Sequence, residues 1–466
     1  MSSTGIEFDK SLIQRYDKAG PRYTSYPTAV QFHEKFTEQD YIQSAESTNL
    51  LHRQGEPRPL SLYFHIPFCS KVCFFCGCNK VVTKFRDRAA PYLERLHQEI
   101  ALHAKLYDDD RTVDQLHWGG GTPTFISHEE MQALMAETRR HFKLHDDDSG
   151  EYSIEIDPRE IDGETLKVLR QLGFNRISLG VQDFDPKVQQ AVNRIQPEAQ
   201  TMGAINGARD LGYKSISVDL IYGLPFQSVA SFNTTLDRII ELSPDRLSVF
   251  NYAHLPEMFK PQRRINEEDL PSPQEKLEIL HQAIDKLTTA GYVYIGMDHF
   301  AKPDDELAVA QREGKLYRNF QGYSTHAECD LIAMGITAIG KVGNSFSQNV
   351  KTLEQYYEAI DSGHLPVYRG LALSDDDLLR QKVISELICH FELHFASIEK
   401  SFGIEFSKYF ATELEEFKTM QNDGLLSVDS EQIIVNPNGR LLIRNICMVF
   451  DKYLRQTTKQ SFSKVI

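Results

Sequence analysis

Residues 60–78 read Leu60-Ser61-Leu62-Tyr63-Phe64-His65-Ile66-Pro67-Phe68-Cys69-Ser70-Lys71-Val72-Cys73-Phe74-Phe75-Cys76-Gly77-Cys78. A strand-like apolar run thus delivers four of the chain's seven cysteines into ten residues, the first three spaced C-x3-C-x2-C. Three thiolates on so short a loop can wrap one side of an iron–sulfur cluster, whose usual protein ligands are cysteines. A cuboidal 4Fe–4S cluster has four irons, so three cysteines leave one iron open to a small molecule. Structural zinc uses closely spaced thiolates too, and a site built from this loop plus Cys78 or His65 also satisfies the pattern. Zinc ribbons bring a second ligand pair from a distant loop, however, whereas Cys329, Cys389 and Cys447 stand alone and read as buried apolar residues. A disulfide knot belongs with secreted chains, and nothing here marks secretion.

Working outward, the 466 residues allow about three domains, and 41% apolar with 25% charged residues is ordinary globular composition. Met1 to Lys10 lacks the apolar segment of a secretory signal, and no run approaches the roughly 18 apolar residues of a membrane helix. A cytoplasmic protein is expected, in a compartment where thiols stay reduced. Its 51 basic and 66 acidic residues leave a net charge of −15, which disfavours nucleic acid at long range. A polyanionic small substrate must find a local cluster of Arg and Lys. The short acidic runs at 108–110, 146–148 and 375–377 are explained by helix capping and solvation.

From residue 60 to 300 a strand-then-helix cadence repeats about every thirty residues. Strand-like runs fall at Leu60–Phe68, Val113–Trp118, Tyr152–Ile156, Arg176–Val181, Ser215–Ile221 and Arg246–Tyr252. Helical patterns lie between them at Ala90–Leu106, Glu129–Phe142, Gly163–Leu172 and Ser231–Leu242. Such βα units build a parallel sheet, either doubly wound or a barrel that is not fully closed. Chemistry-bearing residues recur just after the strands, where ligands bind in both architectures. Trp118-Gly119-Gly120-Gly121-Thr122-Pro123 removes side chains from a strand end, either for a tight turn or so that a ligand can reach backbone amides. Other strand ends carry Glu155, Gln182 with Asp183, Asp219 and Ala253, and Arg194 follows in Val192-Asn193-Arg194-Ile195. An acid at a strand end is often only a helix cap. Convergence of several such polar ends on the face that carries the cysteines argues for a site.

The flanks break the cadence. Gly20-Pro21-Arg22-Tyr23-Thr24-Ser25-Tyr26-Pro27 excludes a regular helix and reads as an extended arm. After Ile295 an insertion-like stretch carries Lys302, Arg312 and Arg318, which either meet carboxylates or are simply solvated. Beyond residue 372, helix-like Asp375–Phe391 and Ile398–Lys418 precede a strand at Gln432–Val435, a turn at Asn436–Gly439 and a last helix through Tyr453. Helices followed by a small β-wing resemble a winged-helix module. The acidic context and the missing basic recognition helix argue against DNA binding and for a cover over the barrel mouth.

Cys69-x3-Cys73-x2-Cys76 resembles the signature of radical S-adenosylmethionine (SAM) enzymes. The text from Tyr63 to Cys69 and from Cys76-Gly77-Cys78 to Asn79-Lys80 is similar to the oxygen-independent coproporphyrinogen III dehydrogenases of haem biosynthesis. The likeness runs through most of the chain. It implies an α/β fold, a partial (βα)6 TIM-like barrel over 56–300. It also implies an N-terminal arm at 1–55 over the active site, an extension at 301–371 bordering the substrate cavity, and a mostly helical, winged-helix-like cover at 372–466.

The resemblance further implies that Cys69, Cys73 and Cys76 hold a 4Fe–4S cluster whose fourth iron takes SAM. Positions Tyr63, Gly120, Glu155 and Ile339 would contact that SAM. Phe75, Gly121, Thr122, Gln182, Arg194, Asp219 and Ala253 would line a second SAM site, so two molecules are expected. Tyr63 joins the three cysteines in the catalytic set, and Cys78 is not assigned as a ligand. The implied reaction is oxidative decarboxylation of coproporphyrinogen III to protoporphyrinogen IX, with a flavodoxin- or ferredoxin-type electron donor and a monomeric chain. Arg22, Lys302, Arg312 and Arg318 are the candidate propionate contacts. The alternatives are a radical SAM haem chaperone, a radical enzyme acting on another tetrapyrrole, and a zinc-bound interaction protein.

Overall fold

The computed structural model describes residues 5–456, and contacts divide the chain into two compact units. One holds residues 32–272 and 328–372; the other holds the described residues 5–31, 273–327 and 373–456. Residues 301–371 therefore fall in both units.

In the first unit the strands are β1 (Leu60–Ile66), β2 (Thr112–Gly120), β3 (Glu151–Ile156), β4 (Arg176–Gln182), β5 (Ser215–Tyr222), β6 (Arg246–Asn251), β7 (Asp330–Met334), β8 (Ile339–Val342), β9 (Ser345–Asn349) and β10 (Val367–Ala372). They lie in the order 6-5-4-3-2-1-7-8-9-10. The pairings from β6 through β1 to β7 are parallel, and β8 to β10 continue antiparallel. The six βα strands keep sequential order without a reversal, which makes the sheet singly wound and barrel-like rather than doubly wound. The antiparallel continuation takes the place of the last two βα units of a full barrel.

Helices follow the strands: α1 (Glu38–Arg53) precedes β1, then come α2 (Ala90–Ala104), α3 (His128–His141), α4 (Gly163–Gln171), α5 (Glu198–Asp210), α6 (Val229–Leu242) and, after β9, α7 (Leu353–Asp361). Local chemistry starts them sharply. Ser127 with Glu130, Asp162 with Thr165 and Ser228 with Ser231 form reciprocal capping pairs at α3, α4 and α6. β7 is buried along its whole length and β1 at all but Tyr63, as expected for parallel strands covered on both faces. Fully buried Trp118 sits edge-on to Phe64 and Phe174, with ring centroids 6.3 and 4.8 Å away. At the N-terminal strand ends, buried Arg111 pairs with Asp330 and also donates to Thr48 and Asn49, a polar weld that leaves the opposite end to chemistry.

The second unit opens with a short helix, Lys10–Tyr16, capped by Asp9, and continues with Pro273–Thr289, a hairpin of Val293–Gly296 with His299–Ala301, and Glu306–Arg312. A second hairpin joins Tyr317–Asn319 to Gly322–Ser324. Helix Asp375–His390 leads into a small antiparallel sheet in which Gln432–Val435 lies between Glu392–His394 and Leu426–Val428. Phe395, Phe406, Phe410, Phe417 and Phe450 pack together in the same unit.

Some boundaries differ from the sequence reading. The run Leu60–Phe68 breaks at Pro67, which has no amide to give a ladder, so Phe68–Cys69 forms a separate two-residue strand. The expected helix Ile398–Lys418 becomes three pieces, Phe395–Phe402, Phe406–Tyr409 and Ala411–Asn422, because Gly403 turns into the left-handed region (φ 66°) and caps the first. The turn at Asn436–Gly439 winds into a 3-10 helix, Pro437–Leu442, and the last helix divides into Ile443–Val449 and Lys452–Gln456. Among the described residues no helix is long and apolar enough to cross a membrane.

Candidate active site

The cysteine loop leaves β1 at Pro67 and returns to it. Phe68–Cys69 pairs in parallel with Val81–Val82, and the amides of Val81 and Thr83 donate to the carbonyls of Pro67 and Cys69 at 2.8 and 2.9 Å. The excursion from Ser70 to Lys80 is therefore closed at its base. Its outer edge is held by loops from three other strand ends. The amide of Phe74 donates to Val192 (2.9 Å), Asn193 Nδ2 to the Val72 carbonyl (2.7 Å), and Gln262 Nε2 to the Phe75 carbonyl (2.9 Å). From the β3 end, Glu160 accepts the Ser70 hydroxyl.

Each of the first three sulfurs meets a different neighbour. Cys69 is buried beneath the Thr122 hydroxyl at 3.5 Å, and burial pushes its thiol up to about 11. Cys73 receives two guanidinium groups, Arg194 Nη1 at 3.4 Å and Arg159 Nη2 at 3.5 Å. Cys76 is held well below the usual thiol range, first by the Cys78 S–H and then by Lys80, and the Cys78 thiol is driven up in return. None of the seven cysteines, all among the described residues, is joined in a disulfide. Three thiols on one braced loop, with donors already turned to the sulfurs, fit a cluster ligand set.

Beside the loop, Tyr63, His117 and Glu155 form a row across β1, β2 and β3. Tyr63 lies opposite His117 in register, with rings nearly parallel (11°) at 5.9 Å between centroids. His117 Nε2 faces Glu155 Oε1 at 3.5 Å, and its Nδ1 lies 2.6 Å from Ser153 Oγ. Burial opposes ionisation of Glu155, but the His117 bond and the amide of Gly120 (3.1 Å) outweigh it and hold the carboxyl below its usual value. His65 is kept neutral by burial. Its Nε2–H donates to the Asn79 carbonyl (3.1 Å), which leaves Nδ1 to accept the Tyr63 hydroxyl (3.1 Å).

The glycines have distinct reasons. Gly120 adopts φ 116°, where a Cβ would lie 2.8 Å from the His65 ring; a Cβ on Gly121 would lie 2.6 Å from the Pro67 carbonyl. Backbone there approaches backbone, so the turn keeps its amides next to the loop. Of the remaining expected contacts, Phe75 packs against the cluster of Val188, Val192, Leu224, Tyr252 and Ile265. Gln182 takes a left-handed conformation (φ 70°) at the β4 end. Asp219, half-buried on β5, accepts from Ser178 Oγ (3.2 Å), and burial raises its pKa to about 6. Ala253 follows β6 and Ile339 opens β8. Arg194 Nε is buried without a hydrogen-bond partner, an unspent donor that suits an anionic ligand group.

The four basic candidates all lie in the second unit. Arg22 pairs with Asp298 at 2.9 Å, and buried Arg318 donates to the Arg22 carbonyl at 3.2 Å. Arg312 is exposed and donates to the Pro303 carbonyl (2.8 Å), while Lys302 is half-buried before Glu306–Arg312. Sequence reasoning missed Arg444, which is buried and donates to the carbonyls of Gly20 and Pro21. It offered His65 only as an alternative zinc ligand, and it also missed His117, Asp157, Arg159 and Glu160. The sequence does carry a cue for the last three: Asp157-Pro158-Arg159-Glu160 directly follows a strand that bears Glu155.

Residues 63–239 match the Radical SAM superfamily and residues 373–442 the HemN C-terminal domain. The chain is 54% identical over 461 residues to the oxygen-independent coproporphyrinogen III oxidase of Pseudomonas aeruginosa, covering 99% of each. With that of Escherichia coli K12 it shares 53% over 467 residues, covering 100% of both. Among solved structures, the coproporphyrinogen III oxidase HemN from Escherichia coli, described as a radical SAM enzyme, superposes with a TM-score of 0.91 at 51% identity. That match covers 96% of this chain and 100% of that one.

Proposed function

This chain belongs to the oxygen-independent coproporphyrinogen III oxidases of the radical SAM superfamily, and from that premise we propose that it converts coproporphyrinogen III to protoporphyrinogen IX. Two propionate side chains are oxidatively decarboxylated to vinyl groups. The observation that carries this reading is the closed loop presenting Cys69, Cys73 and Cys76 at the C-terminal strand ends, within a chain that matches these oxidases end to end. When bound, a 4Fe–4S cluster and SAM supply the 5′-deoxyadenosyl radical that removes hydrogen from a propionate β-carbon.

The residues position and shield. Cys69, Cys73 and Cys76 are the cluster ligands of this reading. Tyr63, whose hydroxyl is oriented by His65, and Glu155, oriented by His117, offer a donor and an acceptor for the amino-acid end of SAM beside the amides of Gly120 and Gly121. Ile339 adds an apolar contact. A second SAM is assigned to Phe75, Gly121, Thr122, Gln182, Arg194, Asp219 and Ala253; the orphan Nε of Arg194 supports that assignment. Arg22 and Arg318 are the preferred propionate contacts, since they already stand together, and Arg312 and Lys302 are secondary. A flavodoxin- or ferredoxin-type donor, a monomeric state and a cytoplasmic setting complete the reading.

The test is an anaerobic assay of the reconstituted, reduced protein with SAM and coproporphyrinogen III, following tetrapyrroles and 5′-deoxyadenosine together. Protoporphyrinogen IX with 5′-deoxyadenosine, both lost in Cys73→Ser, is the expected result. Bound haem without decarboxylation would replace the catalyst with a chaperone. Iron and sulfide present with neither product would overturn the reading.

A further inference from the structure

The stretch after β3 contributes more to the cysteine loop than any motif suggested. Asp157 accepts from Arg159 at its backbone amide (3.0 Å), at Nε (3.0 and 3.2 Å to the two oxygens) and at Nη2 (2.6 Å). The same carboxylate accepts Arg194 Nη1 at 2.9 Å. Both guanidinium groups then reach one atom, the Cys73 sulfur, at 3.5 and 3.4 Å. The side chains of Asp157, Arg159 and Arg194 are only 9%, 9% and 8% exposed. Two cations against one carboxylate leave a single positive charge, which matches one thiolate. Neither Cys69, beside a hydroxyl, nor Cys76, beside Lys80 and Cys78, has two guanidinium donors.

The two arginines are not equivalent. Arg194 also donates to the Gly180 carbonyl and keeps a buried Nε unpartnered, so it has another direction in which to act. Arg159's side-chain bonds run to Asp157 and to Cys73, in a fork that the carboxylate locks from two sides.

We infer that Arg159 is a positioning residue for the cluster. Clamped by Asp157, it donates a fixed N–H···S bond to the Cys73 sulfur and thereby sets the reduction potential of the cluster that Cys73 ligates. Hydrogen bonds to the sulfurs and net local charge are among the terms that fix such potentials. A cationic donor stabilises the more electron-rich state, so the bond moves the potential upward and eases reduction. The inference rests on the reading that the three cysteines hold a cluster.

The experiment compares the full chain, reconstituted anaerobically, as wild type, Arg159→Gln and Arg159→Lys. Iron and sulfide content, circular dichroism and an EPR-monitored redox titration are read on each. Arg159→Gln is expected to bind the full cluster complement but to titrate at a more negative midpoint. Arg159→Lys, which keeps the charge and loses the fork, should lie between it and wild type. An unchanged midpoint in whichever variant holds the full complement overturns the inference. Loss of the cluster from both natively folded variants would place Arg159 in assembly instead, and also overturns it. Wild-type protein without iron or sulfide would sink the underlying cluster reading, a result separable from the others.

Discussion

In the barrel unit, Arg159 and Arg194 meet a sulfur and share Asp157; in the second unit, Arg318 and Arg444 meet the carbonyls of Arg22, Pro21 and Gly20. All four guanidinium groups are buried or nearly so. The barrel pair shares one carboxylate and reaches one cysteine sulfur. The other pair donates to backbone carbonyls, and burial together with nearby Arg22 pulls the Arg444 pKa down to about 10. A buried cation that donates to backbone carbonyls ties the chain down, whereas one set against a ligand sulfur acts on that sulfur's electrons. The same residue type therefore does mechanical work in one unit and electronic work in the other.

The contrast would break most visibly at Cys73. Cys73→Ser should lose nearly all iron, sulfide and 5′-deoxyadenosine formation while keeping a native circular dichroism spectrum; a variant that retains a wild-type cluster would show that the two guanidinium groups face an ordinary thiol. Arg444→Leu is the matching cut in the second unit. It should cost about 3 kcal/mol in denaturant unfolding, since two charge-assisted bonds are lost. It should also expose residues 20–23 to protease and leave iron content unchanged.

A half-buried carboxylate in the barrel unit sharpens the comparison. Burial lifts the Asp219 pKa from 3.8 to about 6, so the folded state prefers the neutral acid. Its proton-linked stabilisation is present at low pH and disappears as pH rises between those two values. Relative to Asp219→Asn, the cluster-free wild type should lose at most about 3 kcal/mol over that window. A difference that stays flat with pH would mean that solvent already reaches the carboxylate. The smallest effect belongs to Arg22→Gln. Its partly exposed pair with Asp298 is worth about 0.2–1 kcal/mol, so stability should barely move while KM for coproporphyrinogen III rises and uncoupled SAM cleavage stays at its wild-type rate.

Those sites differ also in how far the sequence disclosed them. Cysteine spacing announces its own chemistry, and the βα cadence located all six barrel strands because apolar runs alternate with amphipathic ones. Sheet order was not legible, since either winding satisfies the same cadence; only the pairing of β1 with both β2 and β7 decides it. Asp157 reads locally as a turn acid after a strand, which it is, accepting from the Arg159 amide. Nothing nearby in sequence says that Cys73 stands 86 residues from its donor Arg159. Arg444 was invisible for a similar reason: its partners are 423 and 424 residues away and are carbonyls, which carry no side-chain signature. The long helix expected from residue 398 failed at one glycine, whose left-handed turn outweighs the apolar periodicity on either side.

The two-residue ladder between Phe68–Cys69 and Val81–Val82 has a consequence for how the metal centre is acquired. By tying the ends of the excursion together, it holds the three thiols at high effective concentration toward one another. The second and third captures of iron become intramolecular events once the first has occurred. Much of the ordering entropy of ligation is then met during folding rather than at the moment of loading. The chain is built as a receptor that waits for its inorganic cargo.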